Sequence, residues 1–259
     1  MTQLFAFDQV LESLPETAFA FMLVISRVGM VVMLMPGLGE AEPPPMVRAG
    51  FTLALTLLLL PGVAPLVTQP APGWGGAGMV VAELLAGAVL GWLARLPALA
   101  LSMAGAVISV MTGMTSVVQP DPALGGQSAA LTRALSLAVP VLVLSTGLYA
   151  LPLEALVGSY QVVPPGAVMP GDVAEAVQQG LGAAFGLSIR LAAPFLLAGV
   201  VFQSGLGLMG RLAPQLQAYS AAIPGQILGG LALLGVLAAS LLETWSEALR
   251  TAWSALPGL

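Results

Sequence analysis

Long apolar runs alternate with short polar breaks along this chain. The runs fall at about residues 18–36, 46–66, 79–118, 127–159, 173–209 and 217–242, and a helix crossing a bilayer needs about 20 apolar residues. Six to eight helices fit that pattern. The two-residue alternation of a membrane barrel is missing, and backbone groups in lipid must be satisfied within their own element, so helices are the expected element throughout. The breaks are rich in proline and glycine: MPGLGEAEPPP at 35–45, PGVAPLVTQPAPGWGG at 61–76, VQPDPALGG at 118–126 and VVPPGAVMPGD at 162–172. No charge-rich tail or long linker intervenes, so residues 1–259 read as a single membrane-embedded, all-α domain.

Arginine breaks the apolar rule at five places. Arg27, Arg95, Arg133, Arg190 and Arg211 sit inside or at the end of an apolar run, where a mid-bilayer arginine costs roughly 2.5–3.5 kcal/mol. Each must face protein, water or a carboxylate, and Arg27, Arg133 and Arg190 are expected as buried charges. Positive charge is not gathered in alternate loops, so it sets no orientation in the membrane.

Glycine is spaced as a packing device. Gly87/Gly91, Gly182/Gly186 and Gly225/Gly229 are GxxxG pairs, which strip side chains from one helix face and let another backbone approach. Glu83, Gly87, Gly91 and Arg95 step by four residues, so one stripe carries an acid, a bare groove and a base. Proline interrupts the runs at Pro97, Pro140, Pro152, Pro194, Pro214 and Pro224. Each removes a backbone donor and bends or ends a helix, which predicts kinked and broken hairpins.

Composition narrows the chemistry. Hydrophobic residues make up 58% of the chain and charged residues 7%, against about 25% charged in soluble domains. Cysteine and histidine are both absent, which removes the disulfide framework, the thiolate and the commonest metal ligand and general base. The twelve acids are scattered, so neither a metal centre nor a cofactor is expected. There is no GxxxxGK[ST], which would need a lysine the chain lacks, and Gly205 and Gly207 form a lone GxG. A serine nucleophile would have no histidine or lysine as base, and Asp8, Asp121 and Asp172 all lie in polar or loop segments. An enzyme is therefore not expected. All seven basic residues are arginines and the net charge is −5, which leaves no basic surface for nucleic acid. The first seventeen residues hold Asp8, Glu12 and Glu16 and no base, unlike a secretory signal, so the N-terminus is expected to stay on the mature protein.

The stretch 191–242 holds a single charged residue, Arg211, inside GLGLMGRLAPQLQAY, and IPGQILGG follows. This resembles the C-terminal signature of the FliR family of flagellar export-gate proteins, whose injectisome counterparts are the SctT proteins. Gly207, Leu208, Arg211, Pro214, Gln215, Leu216 and Tyr219 occupy the positions of its pattern. ISRVGMVVMLMPGLGE at 25–40, EPPPMVRAGFTLALTLLLLP at 42–61, ELLAGAVLGW at 83–92 and GAVISVMTGMTSVVQPDP at 105–122 are similar to the preceding segments of the family, in the family's order.

The resemblance implies a core subunit of a type III secretion export gate in the bacterial inner membrane, at the flagellar basal body. Its implied partners are P- and Q-type subunits (FliP-like and FliQ-like), an FlhB-like switch protein, unfolded secretion substrates and membrane lipid. It implies tilted hairpins around a pore, standing partly above the bilayer on the periplasmic side. Met111, Thr112, Gly113, Met114, Thr115, Ser116 and Val117 match the family's gate loop, where small and flexible residues alternate with adaptable apolar ones. Arg211, Pro214, Gln215 and Gln217 read as a helix break that docks a neighbour. The chain departs from the pattern at Ser116, usually aromatic, at Met111, often Gln, at Leu148, commonly His, and at Gln203, frequently Asn. The Arg-x-x-Pro-Gln-Leu form favours the flagellar branch. The reading from another class is a solute permease, which also uses broken helices and buried ionisable groups, but no repeat relates the two halves.

Overall fold

The computed structural model describes residues 2–40, 43–68, 74–116, 118–121, 126–167, 171, 173–212 and 218–258. Among the described residues there are seven α-helices: α1 (Thr2–Leu34), α2 (Pro45–Val63), α3 (Gly75–Met111), α4 (Ala130–Ser145), α5 (Ala150–Val162), α6 (Val173–Leu212) and α7 (Ala218–Trp253). Five of the described helices are long and apolar enough to cross a membrane, and the bent pair α4 and α5 makes up to six. The all-α expectation omitted one piece. Val118–Asp121 (β1) and Gly126–Ala129 (β2) form an antiparallel ribbon, with Val118 opposite Ala129 and Asp121 opposite Gly126. Proline is tolerated in β1 because a two-stranded ribbon is all edge.

Most of the apolar run 127–159 forms two helices, because Gly147 takes φ +74° between them. Elsewhere the helices continue past their prolines. Pro97, Pro140, Pro194 and Pro224 lie inside α3, α4, α6 and α7, which continue through them. Pro152 falls in the first turn of α5, where the missing N–H has no intrahelical role. Pro214 lies outside the described residues.

The chain folds as two compact units, 1–95 with 149–177 and 253–259, and 96–148 with 178–252. In the first, α1 buries Leu23, Val24, Arg27, Val28, Val31 and Val32 against the first half of α3 and against α5. The indole N–H of Trp253 donates to the Ala94 carbonyl over 2.8 Å. In the second, Leu101, Ala104 and Ile108 of α3 are fully buried, as are Ala192 of α6 and Trp245 and Leu249 of α7. The Trp245 N–H donates to the Pro97 carbonyl over 3.1 Å. Leu241, Trp245, Leu249 and Trp253 are buried at four-residue steps, one stripe of α7 that carries the helix past the apolar run ending near 242.

Candidate functional site

The segment expected as the gate loop begins where α3 stops. The Thr112 amide donates to Ile108 O and the Gly113 amide to Val110 O, while Gly113 turns left-handed at φ +72°, the geometry of a glycine-capped helix end. Two glycines of the second unit make room for it. A methyl group on Gly199 of α6 would lie 2.7 Å from Met111 Sδ, and one on Gly230 of α7 would lie 2.5 Å from Thr112 Cβ. The Gln226 side-chain amide donates to the Met111 carbonyl over 2.9 Å, and the same amide flanks Gly113. Thr112 is buried, with its hydroxyl donating to Ile108 O over 2.8 Å. A cleft of about 320 Å³ beside this seat is lined by Phe195, Phe202, Gly225, Gly229 and Leu233 as well as Met111 and Thr112. Met114–Ser116 form a single 3₁₀ turn in which Thr115 is exposed. Val117 lies outside the described residues.

The Glu83 stripe of α3 is a seat as well. Gly87 lies against the Arg27 carbonyl and Met30 of α1, and a methyl group on Gly91 would lie 2.8 Å from Leu34 Cβ. Arg95 donates to the Leu34 carbonyl over 3.3 Å and approaches the Glu40 carboxylate at 3.4 Å. Glu83 and Arg27 meet in the middle of the first unit. Arg27 Nε and Nη2 donate to the two carboxylate oxygens, each over 2.8 Å. Nη1 reaches the Ser159 hydroxyl over 3.2 Å, and Nη2 also reaches the Val163 carbonyl over 3.0 Å. Tyr160 lies beneath the guanidinium, 4.2 Å from its carbon to the ring centre. Glu83 Oε1 further accepts the Gly166 amide over 2.8 Å. Both charges are buried, and this web of donors and acceptors is what makes a buried ion pair tolerable.

The other predicted positions fare differently. Gly182 and Gly186 are exposed, and a methyl group at either would meet nothing within 4 Å; the same space surrounds Gly225 and Gly229. Those two GxxxG pairs pack no helix among the described residues of the chain, because the spacing bares a face without specifying what meets it. Arg190, expected buried, is exposed on α6, and Arg133 is half-buried on α4. Arg211 is exposed near the end of α6, while Pro214, Gln215 and Gln217 lie outside the described residues. Sequence reasoning missed Gln226, Gly199 and Gly230 around the loop, and Ser159 and Tyr160 around Arg27. Gln226 carried a signal, a lone amide in an apolar run; the others carried none.

The pattern shared by the bacterial export proteins, family 1, matches residues 18–252, from the first apolar span through nearly all of α7. The chain is similar to the flagellar biosynthetic protein FliR of Caulobacter vibrioides, 34% identical over 88% of this chain and 92% of the relative. The chain is a member of the FliR family of bacterial export proteins. A FliR of Bacillus subtilis is 25% identical over 80% of this chain and 82% of its own length. The secretion system apparatus protein SsaT of Salmonella typhimurium is 26% identical over 84% of each. Every α-helix named above lies wholly or mostly within the span that matches the family, the Met111 seat and the Arg27–Glu83 pair included.

Proposed function

We propose that this chain is a non-enzymatic core subunit of a type III secretion export gate in the bacterial inner membrane. It assembles with P- and Q-type subunits around a pore for unfolded protein, in contact with an FlhB-like partner. The observation that carries this reading is the family match across residues 18–252. The flagellar form is favoured by the 34% identity to the Caulobacter flagellar relative.

Helix length and exposure support an assembled role. Helices α3, α6 and α7 hold 37, 40 and 36 residues, or roughly 55–60 Å at 1.5 Å per residue, about twice the hydrocarbon thickness of a bilayer. Helices of that length suit a subunit that stands partly above the membrane on the periplasmic side. Only 6% of the most apolar window of α7 is buried within the chain, which leaves it surface for neighbours. In this reading Met111–Val117 plug the pore, and the break at Arg211–Gln217 sets the angle between α6 and α7 and docks a neighbouring subunit.

Co-expression with the genomic neighbours, purification through a tag on this chain, and native mass spectrometry test the assembly. A discrete complex with several copies of two small membrane proteins is expected; a monomer or homodimer would move the assignment to a permease. Deletion of residues 112–116 is expected to raise ion leakage across the membrane, and unchanged leakage would remove the plug role.

A further inference from the structure

The Met111 seat has a firm base and a single polar tie. Among the described residues, the Gln226 amide makes the one side-chain hydrogen bond from another helix to residues 111–115. The Thr112 hydroxyl donates to Ile108 O of its own helix, so it carries its partner with it and leaves no unpaired group on α6 or α7. One turn earlier, the Ser109 and Thr132 hydroxyls meet at 3.3 Å and fix α3 to α4. Gly113 follows the tie at φ +72°, in backbone space that glycine enters and leaves without a steric penalty.

The cleft of about 320 Å³ adjoins this tie. Met111 itself lines it, with Phe195 and Phe202 of α6 and Gly225, Gly229 and Leu233 of α7. The Met111 sulfur rests against Gly199, where a methyl group would lie 2.7 Å from it. Methyl groups on Gly225 or Gly229 would instead meet nothing within 4 Å, so this glycine pair keeps the α7 side of the cleft clear. That volume is ample for the few heavy atoms of a methionine side chain. Aromatic rings and bare helix backbone suit a thioether, which has three rotatable bonds and is attracted to ring edges.

We propose that this cleft receives the Met111 side chain when the gate opens. Gln226 releases the Met111 carbonyl, the backbone turns at Gly113, and the thioether leaves Gly199 for the Phe195 and Phe202 rings, drawing Thr112 with it. Gln226 is then the latch of the closed form, and the Gly225/Gly229 pair is the clearance that the open form needs. The inference rests on the plug reading above and adds where the start of the plug goes.

The test uses the full chain with its partners in secreting cells. Gly229→Phe puts a ring into the cleft without touching the closed seat, because the glycine faces open space. It is expected to lower export by about tenfold or more, since it removes room from the open form alone, while the complex keeps its native mass and leak in non-secreting cells stays low. Gly235→Phe is equally open but off the cleft, and is expected to export at the wild-type rate. The chain has no cysteine, so Met111→Cys with Gly199→Cys gives a single pair within it. A methyl group on Gly199 would lie 3.1 Å from Met111 Cβ, near the separation a disulfide spans. Oxidation of that pair is expected to stop export, and a reductant to restore it.

Wild-type export by Gly229→Phe in an intact complex would overturn the proposal, as would normal export by the oxidised pair or an equal loss in Gly235→Phe. Loss of a subunit from the Gly229→Phe complex would assign the glycine face to a partner helix and also overturn it. Should Gly229→Phe be poorly made, the oxidised pair decides alone. Unchanged leakage after deletion of 112–116 would remove the plug reading and this inference together. Raised leakage there, with normal export by Gly229→Phe, would remove the cleft alone.

Discussion

Arg27 and Glu83, fifty-six residues apart in sequence, close on one another through two buried 2.8 Å hydrogen bonds between α1 and α3. Removing one member leaves the other charged and unpaired in the core. Arg27→Met or Glu83→Leu should each cost about 3–5 kcal/mol, whereas the double variant Arg27→Met with Glu83→Leu should cost far less than the sum. Unfolding of the purified chain in detergent, read as a double-mutant cycle, checks this. Additive losses would mean that the pair is not coupled.

Two glycines with the same sequence signature should respond oppositely to alanine. At Gly87 the new methyl meets the Arg27 backbone carbonyl and Met30, and overpacking of this kind costs about 1–3 kcal/mol. At Gly229 it meets nothing within 4 Å, so the helix should gain roughly 0.5–1 kcal/mol from the lost backbone freedom. Measured midpoints of the two single variants decide, and equal effects would contradict the packing described.

The Gln226 amide holds the Met111 carbonyl at the start of the loop. Gln226→Ala removes a contact worth about 0.5–1.5 kcal/mol, and Gly230→Val drives a side chain into Thr112. If Met111–Val117 are the plug proposed above, both should loosen it and raise proton leak in cells that are not secreting. Wild-type leak in both variants would disconnect this seat from gating.

Tyr160 offers its ring to Arg27, while its buried hydroxyl has no partner among the described residues. Tyr160→Phe keeps the ring and removes the unpaired group, so stability should be unchanged or up by about 1 kcal/mol. Tyr160→Leu removes the ring and should cost roughly 0.5–2 kcal/mol from the lost cation–π contact. A destabilised Tyr160→Phe would show that the hydroxyl is engaged.

The helices were legible because burial in lipid or protein demands long apolar runs, and each run from 18–36 onward maps onto one or two observed helices. Boundaries were less so. Helix α7 runs to Trp253 through ETWSEALRTAW, where an amphipathic four-residue stripe replaces uniform apolarity. The ribbon of Val118–Asp121 and Gly126–Ala129 was invisible, since VQPDPALGG has no alternating pattern to announce strands.

The site was legible at the level of faces. Four-residue spacing marked the Glu83–Arg95 stripe, but nothing local could say that Arg27 would supply its ion-pair partner, because that choice is made by tertiary packing. The same logic explains why Gly182/Gly186 and Gly225/Gly229 look identical to Gly87/Gly91 in sequence and stand in open space in the chain. The departure at Met111 from the family's pattern sits in a segment whose neighbours, Gly199 and Gly230, come from distant helices.

The chain also carries its own optical probes. Trp245 is the only tryptophan between residues 96–148 and 178–252 and is fully buried, whereas Trp74 and Trp92 of the other unit are exposed and Trp253 is buried. A difference spectrum between wild type and Trp245→Phe therefore isolates the emission of the unit that holds the Met111 seat, so loosening there can be followed without any attached dye.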